Sequence, residues 1–471
     1  MITRLFFLAA ILVLGFVYSR GFIPHDEGWI LHPAQRITQG QLPYRDFHYI
    51  YTPGVAYFIA FVFKLFGPSI VVSRAATLII ALSSVWLIWS IGQKIAPKSP
   101  LVFLSAAIYL TWGPMHLNFA WPVIYAIWSG LLTCWLLLSS HDKHNRWVFF
   151  LSGITTGLTF LFKQNFGLAL LATNFTYFFT SPNKRDILWH IAGLVLLTSL
   201  FAIHLLATRS FFPFVSDMNF FLIQQIWTKG MQATPFIYPG HWYEQLTKTL
   251  FYLLPLFISV LSVIAAARKN KSLIFIGTFG TFYYLTGIRP TTDYLHLAPL
   301  VAASSLSWLL MLRHKPILIP IALILISLGA YRSLFTNYYR WNPKLVTQNY
   351  SLNNPRLGIL VDNISQSVIT QIKDYFDQNT HPGDYAFIYS FSPSFYLLTN
   401  TKNPTRFIFS PPNLLSPADE LEMVSSLTEK KVQVILTDRP LDNSTPTLTS
   451  YITSYYSPEK TIREFTLWHQ K

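Results

Sequence analysis

Between Ser99 and Ser140 the chain carries no Asp, Glu, Lys or Arg. A stretch of that length holds two membrane spans of roughly 20 residues each, and it restricts the chain to folds that satisfy their backbone inside lipid. The pattern repeats on either side. Residues 5–19 and 75–93 are uncharged, and residues 147–183 contain Lys163 as their one charge. Further uncharged runs cover 187–208, 249–267, 272–288, 294–312 and 316–331. Together they predict a polytopic bundle, mainly α, of about eleven transmembrane helices. Composition agrees, with 52% hydrophobic and 12% charged residues, against about 25% charged in an ordinary soluble domain.

Basic residues mark alternate ends of these runs. Arg4, Lys94 and Lys98, Lys143 and Arg146, Lys184 and Arg185, Arg268 with Lys269 and Lys271, and Arg313 with Lys315 all fall on one side. The positive-inside rule makes that side cytoplasmic. The N-terminus is then cytoplasmic, and loops 24–68, 113–122, 209–248 and 289–293 and the tail beyond about residue 334 are external. The net charge of +15 is scattered rather than gathered in a patch, so nucleic acid is not an expected partner. Cys134 is the single cysteine, which excludes disulfides within the chain and cysteine metal sites. Val17-Tyr18-Ser19 lacks the small residue that signal-peptide cleavage requires, so the first run reads as a retained helix.

The first external loop carries the strongest local signal. Pro24-His25-Asp26-Glu27-Gly28-Trp29 places two carboxylates where the chain leaves the first span. In segment 28–40, Ile30, Leu31, Ala34 and Ile37 lie near helical spacing, with Gln35, Arg36 and Gln39 elsewhere. This predicts an amphipathic helix along the membrane interface. Gly40-Gln41-Leu42-Pro43 stops it, and Thr52-Pro53-Gly54 opens a second apolar stretch, 55–66, too short to span.

Beyond about residue 340 the composition turns polar and the apolar runs shorten to strand length. Helices are expected over Ser367–Asn379 and Pro417–Lys430, and strands over Tyr385–Phe391, Thr405–Phe409 and Val432–Thr437. Alternating elements of this kind predict a small α/β domain with a partly parallel sheet. The expected domains are 1–335, in the membrane, and 336–471, outside it. No Gly-rich phosphate loop precedes a helix in the tail.

The acid pair Asp26-Glu27, the helix with Gln35-Arg36, then Gly40-Gln41-Leu42-Pro43-Tyr44-Arg45-Asp46 and Tyr51-Thr52-Pro53-Gly54 resemble the first external loop of GT-C glycosyltransferases. The chain is similar to bacterial enzymes related to protein O-mannosyltransferases and the aminoarabinose transferase of lipid A. That resemblance implies a cell-envelope transferase whose donor is a sugar on a polyprenyl phosphate or diphosphate. Its acceptor is a lipid, a glycan or a protein. It assigns Asp26 as the base that takes the acceptor's hydroxyl proton; no cofactor is expected, with a divalent metal left open but not indicated. One departure is plain: the aminoarabinose transferases carry a lysine before a Pro-Pro pair, where this chain has Tyr51-Thr52-Pro53-Gly54.

Elementary chemistry asks for the same groups. Sugar transfer with inversion needs a carboxylate opposite the leaving phosphate, and fixed donors for the charge developing on that phosphate. Asp26 and Glu27 are the catalytic candidates, although an acid there also suits a helix N-terminus. Arg45, Asp46 and Tyr51 are candidates for donor contacts; Arg45 and Asp46 alternatively brace a turn. Lys163, a charge between two spans, is a functional candidate by its cost alone, with snorkelling as the other reading, and Gln164 stands beside it. Arg289, Asp293 and His296 form a further external cluster. His25 beside Asp26 is a conceivable metal partner, but no set of ligands with metal spacing emerges. A multi-pass transporter or lipid flippase is the competing function, disfavoured because the strong polar groups gather at external ends and no internal repeat is evident.

Overall fold

A computed structural model of the chain describes residues 1–140, 145–180, 183–222, 260, 277–281, 294–338, 342–389, 391–408 and 415–471. The chain divides into two compact units. One comprises residues 1–17, 50–55 and 77–336; the other comprises 18–49, 56–76 and 337–471.

The first ten helices are α1 (Ile2–Tyr18), α2 (Pro24–Thr38), α3 (Gly54–Phe66), α4 (Ile70–Ile95), α5 (Leu101–Trp112), α6 (Pro122–Ser139), α7 (Arg146–Phe162), α8 (Gln164–Thr180), α9 (Asp186–Ala207) and α10 (Phe211–Leu222). Two more apolar helices follow, Tyr294–His314 and Ile319–Phe335. Among the described residues, four helical stretches are long and apolar enough to cross a membrane: Ile70–Ile95, Pro122–Ser139, Asp186–Ala207 and Pro316–Phe335. Shorter apolar helices include Ile2–Tyr18, Gly54–Phe66 and Arg146–Phe162. Two of the expected spans, at 249–267 and 272–288, fall with the loops on either side largely outside the described residues, so the count of eleven is not tested by them.

In the larger unit, small residues let helices approach. A Cβ on Gly153 of α7 would lie 1.9 Å from the His190 carbonyl of α9, and one on Gly193 would lie 2.0 Å from the Phe150 carbonyl. This backbone-to-backbone crossing is how helices associate in lipid, where burying apolar surface yields little. The outer face of α9 agrees, with Leu188, Ile191, Leu196, Leu200 and Ile203 exposed. Polar side chains inside the bundle pair with each other: Ser129 with Thr159 at 2.8 Å, Thr133 with Thr155 at 2.7 Å, and Ser152 with His190 at 2.8 Å. Buried hydroxyls without such partners would be costly.

The smaller unit combines the loop after α1 with the tail. The tail forms a four-stranded sheet in the order β3-β4-β6-β5, from β3 (Phe387–Tyr389), β4 (Val434–Thr437), β5 (Tyr456–Ile462) and β6 (Phe465–Gln470). β3 and β4 are parallel, and the other neighbours are antiparallel. Helix Asn363–Asn379 starts on an Asp362 cap, and Pro417–Glu429 on a Ser416–Asp419 capping box. Met423, Leu427, Ile435, Leu448 and Ile452 pack the core beneath the sheet. β1 (Asn337–Tyr338) and β2 (Asn342–Lys344) pair separately.

Two tail expectations change. Residues 405–408 form no strand, because the Asn403 side chain takes up the local backbone, accepting from Thr405 N at 2.9 Å and donating to the Phe407 carbonyl at 2.7 Å. Such side-chain bonds compete with a sheet ladder. The closing hairpin β5–β6 carries the pattern of an edge, with Pro458 beside an irregularity in register, and that proline hides the strand from periodicity.

The helix expected along the interface also differs. α2 begins at Pro24, four residues before Gly28, and Asp26 through Ile37 are buried apart from Trp29. It lies within the protein because tail residues cover it. His32 stacks on Tyr396 with ring centroids 4.4 Å apart, and Gln35 Nε2 donates to the Tyr396 carbonyl at 3.3 Å.

Candidate functional site

Asp26 and Glu27 are neighbours in the first turn of α2, and both are buried, at 4% and 2% exposure. Their surroundings are unlike. Glu27 faces Arg74, near the start of α4, in an ion pair whose side chains are each 1% exposed. Arg74 Nε donates to Glu27 Oε2 at 3.1 Å and Nη2 to Glu27 Oε1. Its remaining donors go to the carbonyls of Tyr18 (3.3 Å), Arg20 (2.7 Å) and Gly21, where the chain leaves α1. All five guanidinium N–H directions are thereby used. Glu27 Oε1 also accepts from the Ile23 backbone N at 3.1 Å, closing the first turn. Through Arg74, Glu27 therefore ties the first turn of α2 to residues 18–21 and to the first turns of α4.

Asp26 faces His25. Its Oδ1 lies 2.6 Å from His25 Nδ1, and its Oδ2 is buried with no hydrogen-bond partner among the described residues. A buried carboxylate oxygen left without a donor is unusual and marks a place where a ligand's donor fits. Sequence reasoning gave Asp26 the role of base and Glu27 that of a supporting or capping acid, and the structure gives the two different neighbours.

Further along α2 the guanidinium of Arg36 is held by several acceptors. Arg36 Nε donates to Gln41 Oε1 at 2.6 Å, Nη1 to the Thr405 carbonyl at 2.9 Å and Nη2 to the Asp46 carbonyl at 3.3 Å. Its guanidinium lies 4.7 Å from the centre of the Phe47 ring. Burial lowers its pKa to about 10. Burial likewise holds His32 neutral, well below the usual histidine range, with the nearby Arg36 charge adding to the effect. Arg45 forks onto Asp46, with Nε–Oδ1 and Nη2–Oδ2 both at 2.8 Å, while Asp46 Oδ2 also accepts from Leu42 N at 2.8 Å. The Arg45 hydrogen bonds hold the Asp46 carboxyl below its ordinary range. Tyr44, at φ 69°, makes the tight turn that brings these two side chains together. The pair is partly exposed, so it contributes little stability and braces the turn.

Lys163 belongs to the other unit. It is the one residue between α7 and α8, in an extended conformation, and is 2% exposed. Its ammonium sits over three rings: Tyr51 at 5.4 Å, Phe166 at 5.5 Å and Trp121 at 5.7 Å. Such contacts contribute about 2 kcal/mol or more each when desolvated, which keeps a charge tolerable inside a bundle. The Tyr51-Thr52-Pro53-Gly54 segment is pinned against α7. Thr52 Oγ1 donates to the Phe160 carbonyl at 2.8 Å, and a Cβ on Gly54 would lie 2.6 Å from the Leu161 carbonyl. That contact sets Tyr51 beneath Lys163. Gln164 Nε2 donates to the Ile50 carbonyl at 3.4 Å, so it fastens the same segment.

Arg289 and Asp293 lie outside the described residues, and His296 stands near the start of helix Tyr294–His314. Among the described residues no cluster of three or more His, Cys, Asp or Glu could hold a metal ion. Sequence reasoning passed over Arg74. The signal available was an arginine four residues into the apolar run that starts at Ile70, a position where a charge needs a partner.

Three comparisons bear on this arrangement. The family model described as dolichyl-phosphate-mannose-protein mannosyltransferase matches residues 51–208. No curated protein matches the chain. Among solved structures, apo ArnT from Cupriavidus metallidurans is similar over 99% of this chain and 97% of its own, with a TM-score of 0.66 at 13% identity. The same protein bound to undecaprenyl phosphate gives a TM-score of 0.63 at 12% identity, with the same coverage. The arabinofuranosyltransferase AftD from Mycobacteria is similar over 99% of this chain and 40% of its own, with a TM-score of 0.53 at 11% identity.

Proposed function

We propose that the chain, which has an ArnT-like fold and a segment at residues 51–208 matching the mannosyltransferase family model, is a GT-C membrane glycosyltransferase that moves a sugar from a polyprenyl-phosphate or polyprenyl-diphosphate donor to an acceptor hydroxyl on the external face of a bacterial cell membrane. Asp26 is the general base. The observation that carries this reading is its buried Oδ2, which lacks a hydrogen-bond partner among the described residues while Oδ1 is held by His25. ArnT, seen with undecaprenyl phosphate, supports a donor of that class.

In the reaction the acceptor oxygen bonds to the anomeric carbon as the bond from that carbon to the phosphate oxygen breaks. The electron pair of the broken bond leaves on the phosphate, and the acceptor's proton moves to Asp26 Oδ2. Lys163 is the proposed partner of the donor phosphate, since a preorganised cation is what the developing charge requires. Glu27 is a structural partner of Arg74 rather than a second base.

The test uses the full chain purified in detergent, with radiolabelled polyprenyl-phosphate mannose or pentose and an envelope extract as acceptor. Asp26→Asn is expected to lose at least about 100-fold in kcat, in line with removal of a general base. Lys163→Met is expected to raise the donor KM. Equal transfer by wild type and Asp26→Asn would sink the assignment.

A further inference from the structure

We propose that His25 positions the Asp26 base, and that the tail holds His25 through Phe391; this rests on the reading of Asp26 as the base. A carboxylate can present either oxygen after rotation, and a base that rotates loses the orientation from which its rate advantage comes. Here one oxygen is fixed. His25 Nδ1 lies 2.6 Å from Asp26 Oδ1, leaving Oδ2 as the acceptor oxygen with no partner among the described residues.

The imidazole is itself held. Trp29, one helical turn further along α2, has its ring centroid 5.6 Å from that of His25, and Phe391 brackets the ring at 5.4 Å. Phe391 is anchored by the ends of two parallel strands. Its backbone N donates to Asp438 Oδ2 at 2.8 Å, and Asp438 N donates to the Tyr389 carbonyl at 2.8 Å. Tyr389 ends β3, and Asp438 follows β4. The carboxyl ends of a parallel pair thus set a ring against the histidine that sets the base. The tail is part of the catalytic apparatus and does more than cover α2.

Both the neutral Nδ1–H tautomer and the imidazolium can donate to Oδ1, so the role needs a donor at that atom and not a charge. The titratable groups around His25 are Asp26 itself and Asp438, the latter one backbone hydrogen bond away through Phe391. With a side-chain exposure of 38%, His25 tolerates polar replacements, which makes a graded test practicable.

Four variants, His25→Asn, His25→Gln, His25→Phe and Phe391→Ala, are compared with wild type and Asp26→Asn in the labelled-donor assay, with kcat, donor KM and melting temperature read for each. An asparagine amide can place its N–H where Nδ1 stands; the longer glutamine cannot. His25→Asn is expected to keep kcat within about threefold, and His25→Gln and His25→Phe to lose about 10- to 100-fold, with donor KM within about twofold and melting unchanged. Phe391→Ala is expected to lower kcat in the same sense. Equal activity of the Asn and Gln variants, or a kcat loss matched by lower melting in all of them, overturns the proposal. A dead Asp26→Asn beside fully active His25 variants removes the role of His25 and leaves the base in place. Full activity of Asp26→Asn removes the base itself.

Discussion

Adjacent residues on a helix point about 100° apart, and that angle separates Asp26 from Glu27. Glu27 turns towards Arg74 and joins a buried set of hydrogen bonds, while Asp26 turns towards His25. Removing one member of a buried ion pair strands the other, at about 3–5 kcal/mol. Glu27→Gln and Arg74→Met are therefore each expected to lower the melting temperature of the detergent-solubilised chain strongly. The double replacement Glu27→Met with Arg74→Met is expected to be milder than the sum, because no uncompensated charge remains. Additive losses would show that the two side chains act independently. The acid pair and a lesser role for Glu27 were legible in the sequence, but the partner that Glu27 takes was not. The partner of Glu27 lies 47 positions further along the chain, beyond the reach of any local pattern.

At the scale of elements, α2 shows how packing overrides amphipathicity. Its pattern of Ile30, Leu31, Ala34 and Ile37 was legible as one apolar face, yet Gln35 and Arg36 are buried as well. Tail carbonyls and side chains supply the partners that make this burial tolerable. Gly28 is where α2 meets the tail most closely: a Cβ there would lie 2.5 Å from Ser394 N and 2.6 Å from Pro393 Cγ. Gly28→Ala must push backbone aside, and overpacking of this kind costs about 1–3 kcal/mol. A lowered melting temperature is expected, and unchanged melting would mean that α2 and the segment 393–394 separate easily. A similar restriction operates at Gly358, whose φ of 64° and close approach to Val71 belong to the strand-like segment that pairs with residues 19–21.

For the whole molecule, the pH response follows from groups whose protonation folding alters. His32 is held neutral in the folded chain, so below about pH 6.5 the unfolded chain binds a proton that the folded chain does not. Stability from this source is complete above that pH and falls as pH drops towards the depressed folded value. Asp46 acts in a separate window, below about pH 3.9, where protonation removes its bonds to Arg45. Melting is expected to decline between about pH 7 and 5. His32→Phe, which keeps a ring against Tyr396, is expected to flatten that decline; identical slopes would remove His32 as the cause. By itself the sequence determined the membrane class, the positions of most apolar helices and the outline of an α/β tail, and it singled out Asp26 as the candidate base. Those features depend on local composition, span length and periodicity, which are properties of contiguous residues. Tertiary structure alone decided that the loop after α1 and the tail form one unit, that Glu27 serves Arg74, that His25 Nδ1 meets Asp26 Oδ1, and that Tyr51 and Trp121 surround Lys163. Each of these rests on contacts between residues far apart in sequence, and such contacts are selected by the packing of the whole chain.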